Sequence, residues 1–131
     1  MWPYLGYGLG ALAIAVLLLR RGPSLLRAVQ EAEAQQDIQP IRHAVEQLSG
    51  KRRSHFFQRS IEILWQKWER ELAAQVIQEF ATLHPDEKIS QYWIRQVLEF
   101  EPQTANKAFS SSFLEAHYRP EVAAMCGIAS S

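Results

Sequence analysis

The chain has 131 residues, 14 Lys and Arg against 14 Asp and Glu, 47% apolar side chains and a single cysteine. Apart from its first two dozen residues, that length suits one domain and excludes two. One cysteine excludes an intrachain disulfide, and a net charge of zero lacks the basic excess of a general nucleic-acid binder.

The charge is unevenly spread. Residues 1–59 hold eight basic and four acidic side chains, whereas residues 60–131 hold six and ten. A basic part facing anionic lipid and an acidic part facing away would divide the charge in this way.

Met1 to Leu19 carry no charge, and Arg20-Arg21 end the run. Nineteen helical residues rise roughly 28 Å, close to the hydrocarbon thickness of a bilayer. No Lys or Arg precedes the apolar stretch, and its small-x-small patterns lie inside it, so an uncleaved anchor over residues 1–21 is expected rather than a signal peptide. The basic flank predicts an N-terminus outside and a C-terminal domain in the cytoplasm. The membrane would be a bacterial plasma membrane or an internal one such as the thylakoid. Gly6, Gly10 and Ala13 share one face, where small residues allow a second span to pack closely. That span would belong to another copy or to a subunit of a membrane protein complex.

Beyond the anchor the chain reads as all-α, a small bundle of four to five helices. Residues 22–37 are expected as a polar helical connector: Ser24 can cap a helix start, while Glu31 to Gln36 look solvated. The domain proper would fill residues 38–131. Ile38, Ile41, Val45 and Leu48 mark a short amphipathic helix with Pro40 in its first turn and Gly50 as its stop. The longest predicted element runs from Phe56 to Leu83. Phe57, Ile61, Leu64, Trp65, Trp68, Leu72, Val76, Phe80 and Leu83 recur on it at spacings of three and four, forming a stripe about 40 Å long. Pro85 ends it. A helix over residues 87–100 follows, and Pro102 closes that. Thr104 can cap a further segment bearing Phe109 and Phe113, and Pro120 precedes a last turn.

Catalytic and metal signatures are weak throughout. The four histidines lie far apart, no Cys-x-x-Cys or His-x-x-x-His occurs, and carboxylate pairs such as Glu69 and Glu71 point to different helix sides. No metal, no cofactor and no enzymatic activity are expected.

Three clusters remain. Lys51, Arg52 and Arg53 precede Phe56 and Phe57, so that with Arg20 and Arg21 they form candidate contacts for anionic lipid headgroups. Trp65, Trp68 and Trp93 lie on adjacent elements and are either core or a partner-binding face. His84-Pro85-Asp86, placed between two predicted helices, resembles the signature tripeptide of J-domain co-chaperones, and Ser90 and Tyr92 echo one membrane-anchored subgroup. That resemblance implies stimulation of a chaperone ATPase through the tripeptide. The helix before a J-domain tripeptide is rich in Lys and Arg, whereas here Glu69, Glu71 and Glu79 outnumber Arg70. The sequence therefore leads to a non-catalytic membrane-anchored adaptor or assembly factor, with a J-domain-like co-chaperone as the alternative.

Overall fold

The computed structural model describes residues 23–130, and among them every regular element is helical. Eight helices follow in order: α1 Leu25–Gln35, α2 Gln39–Glu46, α3 Gly50–Gln66, α4 Arg70–Leu83, α5 Ile89–Phe100, α6 Pro102–Ala108, α7 Ser111–His117 and α8 Pro120–Ser130. The all-α class is as expected, with more and shorter helices than the four to five foreseen. No described helix is long and apolar enough to cross a membrane. The candidate span, with Gly6, Gly10, Ala13, Arg20 and Arg21, lies outside the described residues.

α1 begins where expected, with the Ser24 hydroxyl accepting from the Arg27 amide at 3.4 Å. Its second half is a correction. The connector is helical as expected, but it is not wholly solvated: Ala28, Val29 and Ala32 are buried in the common core. Alternation of small apolar residues with charges, as in Glu31-Ala32-Glu33, puts one alanine inward on a helix that is otherwise polar.

α1 ends in a Schellman turn. Gln36 takes the left-handed conformation (φ 51°) while the Asp37 amide reaches back to Ala32 O at 3.1 Å and the Gln36 amide to Glu33 O at 3.3 Å. Glycine adopts this conformation without the steric penalty that a β-carbon brings. Although Gln36→Gly gives up exposed side-chain hydrogen bonds to Glu33 O and Glu69, relief of the strain is expected to stabilise the protein by up to about 1 kcal/mol. It would appear as a higher urea midpoint at unchanged slope; a lower midpoint would contradict this reading of the turn.

The 28-residue spine is the second correction, for it folds back on itself. Helix α3 stops at Gln66, Trp68 adopts φ 62°, and a second Schellman turn forms: Glu69 N donates to Leu64 O at 2.9 Å and Trp68 N to Trp65 O at 3.1 Å. α4 then returns antiparallel, setting Phe57 against Phe80 with ring centroids 5.7 Å apart. One straight helix would have left much of its apolar stripe without a partner in so short a chain. Folding the stripe in two buries Phe57, Ile61 and Leu64 against Leu72, Val76 and Phe80, all at 2% exposure or less.

Other boundaries move for local reasons. Gly50 opens α3 at φ 58° instead of merely closing α2. Pro102 starts α6 instead of closing α5, since proline is well suited to the first helical position and Thr104 falls inside. Ser110 caps a separate α7 by accepting from Phe113 N at 3.1 Å. α8 runs from Pro120 through Gly127, further than the single turn expected, and packs on α5. The buried Gln91 fixes that contact. Its amide donates to His117 O at 2.6 Å and its carbonyl accepts from Arg119 N, clipping the α7–α8 junction to α5.

Candidate functional site

The two ends of α1 adjoin different parts of the surface. Pro23, the first described residue, shares a cleft with Leu25 and the first half of α3. At the other end the Gln36 side chain reaches Glu69, and Lys67 approaches Glu33 at 3.2 Å, so the α3–α4 turn sits beside the end of α1.

The α3–α4 turn carries the most unusual surface. The Arg70 guanidinium lies between two indoles, 3.6 Å from the centroid of Trp65 and 4.1 Å from that of Trp68. Trp65 in turn meets Trp93 edge-to-face at 5.7 Å. Glu101 stands 3.9 Å from Arg70 Nε, too far for a hydrogen bond, and that buried Nε has no acceptor. Trp68 is 74% exposed and Phe100 64% exposed. With Gln96 and Glu101 they line a cleft of about 370 Å³.

The three candidate tryptophans therefore separate. Trp93 is buried among the core residues, Trp65 is half-buried beneath the cation, and Trp68 faces solvent. Arg70 and Phe100 had no signal that marked them in the sequence, because the turn that gathers them joins residues thirty positions apart.

The basic segment forms the first turns of α3, and its cations diverge. Lys51 and Arg52 are exposed, while Arg53 Nε donates to His84 Nε2 at 3.0 Å. Phe56 and Phe57 are in the core. Arg52 joins His55 and Arg59, neither singled out by sequence, in the cleft that includes Pro23, Leu25, Leu48 and Phe56. Its volume is about 270 Å³. A step count finds them: positions 52, 55 and 59 share one helical face.

His84-Pro85-Asp86 lies in the α4–α5 connection and is latched to the start of α3. Besides accepting from Arg53, the His84 ring packs on Phe57 and Phe80 at 5.8 and 5.6 Å, and Ser54 donates to Glu87 at 3.1 Å. Burial lowers the His84 pKa from its ordinary 6.5, and the Arg53 charge lowers it further against an opposing pull from Glu87. A depressed pKa means that the unfolded chain binds the proton more readily. The stabilisation is present above pH 6.5 and is lost as pH falls through the lower folded value. Wild type is thus expected to lose urea resistance between pH 7.5 and 5.5 more steeply than His84→Gln, and equal slopes would refute the latch.

Among the described residues no cluster of three or more His, Cys, Asp or Glu is placed to hold a metal. Cys126 is half-buried near Tyr92 and Trp93, with its thiol 3.6 Å from Lys88 O. The chain matches no protein-family model, no curated protein and no solved structure.

Proposed function

We propose that this protein is a single-pass membrane-anchored adaptor or assembly factor, non-catalytic, that binds a protein partner through the surface formed by Trp68, Arg70 and Phe100. The reading rests chiefly on Trp68. A bulky residue in the left-handed conformation is strained by about 1–2 kcal/mol, and exposing its indole forgoes burial of one of the largest apolar side chains. The left-handed turn itself serves the fold by ending α3, but glycine would make it without strain, and beyond its contact with Arg70 the exposed indole adds nothing to the core. Strain of this kind collects where a surface is kept for recognition.

The neighbours agree with such a use. Tryptophan and arginine dominate the binding energy of protein interfaces, and here an exposed Trp68 and Phe100 flank the Arg70 guanidinium. The uncharged run to Leu19, stopped by Arg20-Arg21, supplies the tether. Confinement to a bilayer raises the local concentration of the domain around membrane complexes, so that a modest surface suffices. The C-terminal domain would lie on the side of the basic flank, the cytoplasmic side.

Isolation from membranes in mild detergent is the test. A stoichiometric protein partner lost from the Trp68→Gly variant is expected. A wild-type protein that emerges alone and monomeric would refute the adaptor reading.

A further inference from the structure

The cleft between α1 and α3 has a composition that singles it out. Arg52, His55 and Arg59 project from one face of α3, and no carboxylate is among the residues that line the hollow. Its remaining walls are apolar, from Leu25, Leu48 and Phe56 together with Pro23. In a chain whose charges cancel overall, a hollow lined by two arginines, a histidine and hydrocarbon fits an anion joined to an apolar body. Arg59 also meets Glu62 at 2.8 Å, while Arg52 and His55 have no ion-pair partner among the described residues.

Position narrows the ligand. Only Gly22 separates Pro23 from Arg20-Arg21 in the chain, so if residues 1–19 cross the bilayer the cleft is held at its surface. Leu26, beside the cleft-lining Leu25, is 63% exposed at that same end of α1. A cation cluster next to an exposed leucine is the combination by which domains sit on anionic membranes. We propose that this cleft binds the phosphate of an anionic phospholipid headgroup, with Arg52 and Arg59 contacting the phosphate and the apolar walls covering the adjoining glycerol and first methylenes. The inference deepens the membrane reading and rests on it only for the nearness of the bilayer. Arg53 is excluded from this role, because His84 holds it.

The experiment uses the full-length protein in neutral detergent and follows its melting temperature, since a ligand of the folded state raises it. Dihexanoyl phosphatidylglycerol is expected to raise it, and dihexanoyl phosphatidylcholine and inorganic phosphate are not. Removing both charges in Arg52→Gln/Arg59→Gln is expected to weaken the response about thirtyfold. The equally neutralised Lys88→Gln/Lys107→Gln, with both changes outside the cleft, should respond as wild type does. Equal response to phosphatidylcholine, equal response of the two double variants, or no response to phosphatidylglycerol would each overturn the proposal. Inorganic phosphate acting as strongly as the lipid would make this a free-anion site and overturn it too. Alkaline carbonate extraction of native membranes tests the anchor separately: release of the protein would refute the span and leave the lipid result standing.

Discussion

Trp68→Gly is expected to abolish partner binding while leaving the domain folded. Two effects on stability oppose each other. Glycine relieves the left-handed strain of about 1–2 kcal/mol, whereas the lost indole removes one side of the Arg70 sandwich, on the order of 0.5–1 kcal/mol at an exposed site. The urea midpoint should therefore move little. Binding should fall by roughly thirtyfold or more, the loss produced by truncating an aromatic hot spot of about 2 kcal/mol. Phe100→Ser, on the far wall of the same cleft, should weaken binding in the same direction without unfolding. Full binding by Trp68→Gly would remove the surface from consideration. A collapse of the fold would show instead that the indole is structural.

Phe80→Ala should have the largest effect on the fold, about 3–5 kcal/mol. The ring is fully buried, between Phe57 at 5.7 Å and His84 at 5.6 Å, at the place where the two halves of the spine meet. Domains of this size are stable by roughly 5–15 kcal/mol, so the variant would approach marginal stability. Because the same ring walls in the His84 imidazole, the steeper loss of urea resistance at low pH should shrink along with the midpoint. Phe80→Leu keeps most of the volume and should lose markedly less. A penalty for alanine below about 1 kcal/mol would contradict the α3–α4 packing.

The boundaries readable from the chain were those marked by a residue that alters the backbone locally. Ser24 caps α1, Pro40 lies in the first turn of α2, and Pro85 follows the end of α4. The break at Lys67 to Glu69 had no such mark. Gln66-Lys67-Trp68-Glu69 contains neither glycine nor proline, and the apolar spacing continues through it unbroken. Periodicity reports which face is apolar; it does not report whether the helix carrying that face continues. Pro102 shows the converse. A proline between two helices is compatible with ending one or beginning the next, and only the position of Ala105 in the core places it at a start.

The candidate sites divide along the same line. Lys51 to Arg53 form an evident basic run, yet on the folded chain Arg53 turns to His84, and the cleft takes Arg59 from two turns further on. Trp65, Trp68 and Trp93 were visible as a group, but which of them is core could not be read from type or spacing. By itself the sequence determined the helical class, the uncharged opening run, the basic-to-acidic polarity and the apolar faces, since each is a property of residue type and short-range order. The tertiary structure decided where the stripe folds back, that Trp68 is left outside, and that Arg70 lies between two indoles. Those outcomes follow from burying two half-stripes against each other, a gain that exists only once distant segments meet and that outweighs the strain of one left-handed tryptophan.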